Sequence, residues 1–530
     1  MAAFSLAQVG FVALGLLLFK IVYEIIKSYN FARFAKANGC EKPHNVSGSW
    51  PFSIINGWQR LFRFMDIVNN GGDVIEDGFG RLFEHANTVQ ATQFDGSVEI
   101  DTIEPANIQA MLATQFKDFG MGKMRINQFY PILGNSIFSS DGSDWEHSRS
   151  LFRPQFNREQ INDMEETEQA AQQLINALGP TDSTGWTKGT ELLPLLYNFT
   201  LDTATAFLFG ESVNSQAINT SPQHHTNPQE TSQAKQFMAD FELASEYMMH
   251  RIRGQSLYWL ADGLPFRRAV RRIRAFTEHF VQRVLDPAAR EKAAATTSKK
   301  YNLLAALATE TQDRTELRNQ TLAILIAGRD TTAGLLGWSF ERLALHPDVF
   351  DKLRAAILRD FPPGGEPITF AKLKACRYLQ HFLNEVLRLH PNVPINNRTT
   401  TRPTTLPVGG GPTQTSPIAL PANRTVTFSV YLLHRRTDLW GPDALDFRPE
   451  RWGEGKIPAW QFLPFSGGPR ICLGQQFALT EAGYVLVRML QRFEGVEGVG
   501  GGERLRKGIG LTMWPAEGVR VRFRRAGGGE

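Results

Sequence analysis

The sequence predicts a mainly α fold with small β-sheets, an α+β arrangement behind an apolar N-terminal helix. Three observations lead there. Long stretches read as helix: Phe237 to Leu285, Thr315 to Pro347, Tyr378 to Leu389, and about Leu473 to Phe493. The β-rich runs are short and separated by proline and glycine turns, as from Thr405 to Val430, which fits a small sheet. Phe4 to Ile26, FSLAQVGFVALGLLLFKIVYEII, is almost wholly apolar.

That apolar run spans roughly 35 Å as a helix, enough for a bilayer core. Lys20 and Glu24 lie near its end and can snorkel. No Lys or Arg precedes it, while Lys20, Lys27, Arg33 and Lys36 follow its apolar heart, so the positive-inside rule leaves the rest of the chain in the cytoplasm. A cleaved signal peptide is the rival reading. It lacks a basic start and a clear small-residue cleavage site, so an anchor is expected over residues 1–30. Residues 31–56, with Gly39, Pro43 and Pro51, read as a linker. The chain looks globular from Trp58 onward, with short strands between Val89 and Ile103 and a helix from Pro105 to Phe116.

Composition narrows the function. A chain of 530 residues at 42% hydrophobic content can build a large core, and about 150 residues per domain would suggest three domains. A net charge of +4 is small for this length and argues against a generic nucleic-acid binder. The three cysteines, Cys40, Cys376 and Cys472, form no disulfide framework and no zinc-ligand spacing, which fits a reducing compartment.

Several stretches carry chemistry. Trp145 and Arg149 are four apart, so on a helix they share one face and can both donate to a carboxylate. Phe119 to Phe138, before them, is rich in Met, Phe, Tyr, Pro and Gly and reads as a loop. Ser212 to Ser232 is polar and expected as a surface loop, and His224-His225 there as a solvated pair rather than a metal site. Arg251, Arg253, Arg267, Arg268, Arg271, Arg272 and Arg274 make the following helix basic, with Leu257, Tyr258, Trp259 and Phe266 interleaved. That pattern suits RNA, a lipid headgroup surface or a solvated face, and the anchor favours the lipid.

The run Leu325-Ile-Ala-Gly-Arg-Asp-Thr-Thr332 puts a small pair, an acid and two hydroxyls inside a helix. Glycine costs about 1 kcal/mol there, and Thr can bond back to a carbonyl. A helix with room beside it for a small ligand tolerates both. Glu385 and Arg388 are three apart on the next helix. Finally, Phe462 to Gly483 reads FLPFSGGPRICLGQQFALTEAG. One cysteine sits in a glycine-dense loop before a helical run, where the dipole and free amides stabilise a thiolate. Gly467, Gly468 and Gly474 permit positive φ and close approach to a flat ligand, and Arg470 offers a cation to a carboxylate.

Phe465-x-x-Gly468-x-Arg470-x-Cys472-x-Gly474 resembles the haem-binding signature of the cytochrome P450 family at all five fixed positions. The likeness extends over about residues 45–525. It implies one large domain over residues 57–525, with a disordered tail at 526–530. It implies haem b with Cys472 as the axial thiolate. By the same resemblance Trp145, Arg149, Arg398 and Arg470 meet the haem propionates, and Phe465, Gly468 and Gly474 shape the loop. Asp330 and Thr331 match the acid and threonine that deliver protons to dioxygen. Ile326 stands where some relatives carry a haem-bonding carboxylate, so the haem is expected to be non-covalent. Glu385 and Arg388 are expected to form a buried network with Arg451 of Phe447-Arg-Pro-Glu-Arg-Trp452. Phe119 to Phe138 resembles a variable loop over the substrate pocket.

The activity implied is insertion of one oxygen atom of O2 into an unactivated C–H bond, since a thiolate favours O–O cleavage. Electrons are expected from NADPH through a separate NADPH–cytochrome P450 reductase in the endoplasmic reticulum membrane. Leu133 to Trp145, Thr404 to Gly411 and Tyr431 to Gln476 resemble a fungal branch that holds terminal hydroxylases of alkanes and fatty acids. Terminal hydroxylation of such an apolar substrate is therefore expected. Tailoring of a fungal secondary metabolite is the alternative, and a reductase-independent isomerase or dehydratase a third.

Overall fold

The computed structural model describes residues 6–157, 164–220, 228–287, 301–500 and 506–527. His224-His225 and residues 528–530 lie outside them. The chain divides into two compact units, one of residues 1–65, 78–120 and 397–428, the other of residues 66–77, 121–396 and 429–530.

The first unit opens with one continuous helix, Leu6–Ala37. From Phe11 to Tyr29 its large apolar side chains are exposed, among them Phe11, Leu16, Phe19, Val22 and Ile25. The helix runs on past the expected anchor into the expected linker, and a second helix, Phe52–Asn69, begins before that linker ends. The β-prone runs pair as expected. Thr88–Thr92 and Val98–Thr102 are antiparallel, with Thr88 opposite Thr102. They join a six-stranded sheet that also takes in Thr425–Ser429 and Ile395–Thr400. Thr404–Gly410 and Ser416–Leu420 form a hairpin beside it.

The second unit is mostly helical. Its axis is the 32-residue helix Arg314–Leu345, about 48 Å long at 1.5 Å per residue. The Asp313 side chain caps its start, accepting from the amides of Thr315 and Glu316. Leu192–Phe209 packs along it. This helix is apolar enough to cross a membrane, but 72% of it is buried, so it is a core helix. Two glycines permit close packing on the long helix, Gly337 against this neighbour and Gly334 against Met513. A Cβ at Gly337 would come within 2.6 Å of Leu193, and one at Gly334 within 3.1 Å of the Met513 carbonyl. The core of Leu196, Phe199, Leu336, Trp338, Leu383 and Val485 lies around them.

Three local expectations change. Phe237 to Leu285 is two helices, Pro228–Arg253 and Leu264–Leu285, joined through the 3-10 turns of Gln255–Ala261. The sequence Gly254…Gly263-Leu-Pro265 supplies the break, with Pro265 in the first turn of the new helix. Ser212 to Ser232 is not all loop, for Ser215–Thr220 is helical and the next helix starts at Pro228. Lys123–Leu133 is a helix within the run read as a loop. The basic stretch is also not a uniform surface. Arg251 is buried, donating to the Gln128 and Asn127 carbonyls and pairing with Asp262. Arg272 pairs with the buried carboxylate of Asp240.

Candidate active site

The cysteine loop is held by its own backbone and by neighbouring rings. The Cys472 amide donates to the Phe465 carbonyl at 3.0 Å, closing the loop. Phe465 packs against the core. Positive φ was expected at three glycines. Only Gly468 among them has it, at +67°, joined by Ser466 at +63°. Gly467 serves close approach instead, since a Cβ there would meet the Trp460 ring at 2.8 Å. Gly474 precedes the helix Gln475–Arg492 as its N-cap.

Cys472 is exposed as a residue, yet burial pushes its thiol above the ordinary range. The thiol is desolvated by the atoms around it while the residue keeps an open side from which a ligand can reach it. The Gly474 amide and Arg149 pull its pKa down, as the sequence suggested, but desolvation outweighs them. A coordinating thiol is deprotonated outright, so this does not oppose a ligand role.

Around that sulfur stand the expected cations. On the helix Gly142–Phe152, Trp145 is buried, and Arg149 donates to the Ile471 carbonyl at 3.0 Å, next to the cysteine. Arg470 stacks on the Trp145 ring at 4.3 Å and pairs with Asp141 at 2.8 Å. Arg125, from the Lys123–Leu133 helix, is a cation the sequence reading passed over. It bonds the Asn396 side-chain oxygen at 2.5 Å. Burial holds Arg125 and Arg470 down to about 10, and Arg125 and Arg149 both depress Arg470 further. Three guanidiniums crowd each other with Asp141 as the carboxylate among them. Such a site suits a ligand with two carboxylates. Arg398 lies in the other unit, buried on its strand, where it donates to the Asn397 carbonyl at 2.7 Å.

The donor set fits haem. Among the described residues no group of three or more His, Cys, Asp or Glu side chains stands ready for a bare metal ion. A single thiolate suits an iron that brings its other ligands, and the guanidiniums suit that macrocycle's acidic arms.

Asp330 and Thr331 lie midway along the long helix. Thr331 Oγ1 bonds back to the Ala327 carbonyl at 2.7 Å. Gly328 is not a packing glycine, for a Cβ there would meet nothing closer than Ala204 at 3.7 Å. Burial raises the Asp330 carboxyl, although Arg329 beside it, at 3.0 Å, opposes the shift. Glu481, on the Gln475–Arg492 helix, was also missed. It is buried against Thr203 and Thr332, and desolvation pushes it up to about 7. The signal for it was an acid on the face that carries Phe477, Tyr484 and Val485.

Behind the loop, Glu385 and Arg388 are fully buried and paired at 2.8 Å. Glu385 also accepts from Arg451 Nε at 3.0 Å, Trp452 Nε1 at 3.0 Å and the Arg448 amide at 2.9 Å. Trp452 packs on Phe462 with ring centres 4.5 Å apart. His434 accepts from the Leu463 amide at 2.9 Å and donates to the Arg388 carbonyl at 3.0 Å. Burial pushes its pKa down to about 3, so this bridge between network and loop is neutral.

Comparison with known proteins agrees. Residues 94–515 match the family model for cytochrome P450. Cytochrome P450 monooxygenase g430 of a Fusarium species is 42% identical over 512 residues, covering 96% of this chain and 88% of that one. Cytochrome P450 52A13 of Debaryomyces hansenii is 39% identical, covering 90% of each. The crystal structure of the cytochrome P450DA heme domain superposes with a TM-score of 0.68 at 20% identity, covering 87% of this chain and 95% of that one, a likeness of fold. The chain belongs to the cytochrome P450 family, and its relatives are fungal, as the motifs suggested. It is a haem-thiolate monooxygenase, a class in which a cysteine thiolate holds haem iron.

Proposed function

We propose that this chain is a membrane-anchored hydroxylase of apolar chains, with fatty acids or n-alkanes oxidised at the terminal carbon. The observation that supports its site most is the convergence of Arg125 and Arg149 on Arg470, with Arg149 also acting on the Cys472 thiol. Cys472 is the axial ligand. Trp145, Arg149, Arg470 and Arg125 hold the propionates, while Phe465, Gly468 and Gly474 fix the loop's course. Haem iron, when bound, supplies dioxygen activation and transfer of one oxygen atom to carbon. Asp330 and Thr331 hold and pass the protons that let the second oxygen leave as water. Electrons come from NADPH through a separate reductase in the same membrane.

The exposed apolar helix Leu6–Ala37 supports a single-pass anchor in the endoplasmic reticulum, with the rest of the chain cytoplasmic. Exposed Leu257, Trp259, Leu260 and Leu264 support a second touch on lipid. Such a position lets apolar substrates enter from the bilayer.

The substrate reading rests on the fungal branch motifs and on the yeast relatives, among them cytochrome P450 52A6 of Candida tropicalis at 39% identity. A second reading is tailoring of a secondary metabolite. The relatives from Fusarium and Alternaria solani, at 42% and 43% identity, carry only the name monooxygenase, which is compatible with either substrate. Product analysis decides. The chain is co-expressed with a fungal reductase and given NADPH, medium and long fatty acids, and n-alkanes. Terminally hydroxylated products are expected. No lipid product beside an intact thiolate-type carbonyl spectrum overturns the substrate reading and favours tailoring.

A further inference from the structure

We propose that Arg329 is a positioning residue that, shared between Asp330 and Glu242, sets the direction and charge of the Asp330 carboxyl. This rests on the reading of Asp330 as a proton carrier.

The geometry is well defined. Arg329 and Asp330 are neighbours on the long helix, and neighbours on a helix do not naturally face each other. Yet Arg329 Nη1 lies 3.0 Å from Asp330 Oδ1. The other arm, Nη2, lies 3.2 Å from Glu242 Oε1 on the Pro228–Arg253 helix. The guanidinium is clamped between two rings, 4.8 Å from the centre of Tyr197 and 5.2 Å from that of Phe241. Its side chain is 8% exposed, whereas that of Glu242 is 67% exposed. One buried cation thus joins a surface carboxylate to a buried one, with little freedom of its own.

Two consequences follow. Asp330 is drawn toward Arg329, and Thr331 is occupied by the Ala327 carbonyl. Neither offers its proton to the helix's open side until a bond is released. Glu242 competes for the same guanidinium, so it weakens the hold on Asp330. The charged and titratable groups around the pair are few. Tyr197 comes from Leu192–Phe209, and Glu242 from Pro228–Arg253. Glu481 of Gln475–Arg492 reaches Thr332. Glu278 of Leu264–Leu285 faces Arg318 instead, at 3.7 Å. Arg329 lowers the Asp330 pKa and Glu242 raises it, so loss of one partner acts opposite to loss of the other.

The test compares Arg329→Gln, Arg329→Lys and Glu242→Gln in the full haem-loaded chain. Infrared difference spectra from about pH 4 to about pH 9, with Asp330→Asn as blank, read this one carboxyl. Its midpoint should rise by about 1 to 3 pH units in Arg329→Gln, the effect of losing an opposite charge at this range. It should fall by less than about one unit in Glu242→Gln, where the lost charge is exposed and screened. Arg329→Lys should stay near the wild type. Peroxide released per NADPH, measured with purified reductase and dodecanoic acid, should follow the midpoint across pH. Midpoints that coincide in all proteins overturn the inference, whatever the peroxide yield. Midpoints that move while peroxide ignores both pH and Asp330→Asn support the clamp and overturn the relay. If Arg329→Gln fails to fold, Glu242→Gln, at an exposed carboxylate, still decides by the sign of its shift.

Discussion

Glu385→Gln should damage this protein far more than a charge-neutral, equal-sized change at a surface. The carboxylate is fully buried. It accepts from Arg388 Nε and Nη2, Arg451 Nε, Trp452 Nε1 and the Arg448 amide. An amide keeps one acceptor and turns an NH2 group toward donors. Two buried guanidiniums then share what remains, since Asp443, the other carboxylate near Arg451 at 3.2 Å, is partly exposed. Removing one partner of a buried ion pair costs about 3–5 kcal/mol. A domain's whole stability is about 5–15 kcal/mol. The damage also travels toward the site. Trp452 packs on Phe462, and His434 ties Arg388 to Leu463, both just before the cysteine loop. The assay follows urea unfolding of the haem-loaded chain by its reduced-carbonyl spectrum. The variant should lose at least about 3 kcal/mol, with the thiolate-type band giving way to the inactive form at lower urea. A loss under about 1 kcal/mol, with the band intact, would refute the argument that this network carries the loop.

Thr331→Ala should leave haem bound and divert electrons to peroxide, read as peroxide per NADPH; tightly coupled product formation would place the relay elsewhere. Glu481 titrates near pH 7, against an ordinary value of 4.5, because burial penalises its charge. Its pKa is raised on folding, so its favourable contribution is full below about pH 4.5 and is lost as pH rises through about 7. Glu481→Gln should therefore gain on the wild type by roughly 3 kcal/mol at pH 8, at about 1.4 kcal/mol per pH unit. Urea midpoints at pH 5 and pH 8 check this, and a gap independent of pH contradicts it. Truncation before Ala35 should weaken sedimentation with lipid vesicles, and unchanged binding would assign attachment to another surface.

Much of the site was legible because its chemistry is local in sequence. Trp145 and Arg149 share a helix face by spacing alone, and the cysteine loop declares itself by residue type. The spacing of Glu385 and Arg388 alone reads as an ordinary ion pair; the family resemblance implied its burial with Arg451, and neither pointed to the bond from Trp452, 67 residues away. Contacts of that kind have no period to read. Arg125 hid for the same reason, since its partner Asn396 lies 271 residues on. The thiol of Cys472 went the other way from expectation because desolvation depends on everything around it, whereas dipoles and amides can be counted from neighbours. Arg251 resembled a surface cation until its carbonyl partners at Asn127 and Gln128 were in view.

The most direct test is the reduced-carbonyl spectrum of three variants, Cys40→Ser, Cys376→Ser and Cys472→Ser, in otherwise intact chains. Cys376 is a buried thiol whose pKa burial raises to about 11, and Cys40 bonds the Asn38 carbonyl on the outside of its unit. The account predicts the thiolate-type band in the first two and its loss in Cys472→Ser. A thiolate-type band that survives in Cys472→Ser would contradict the assignment on which the rest depends.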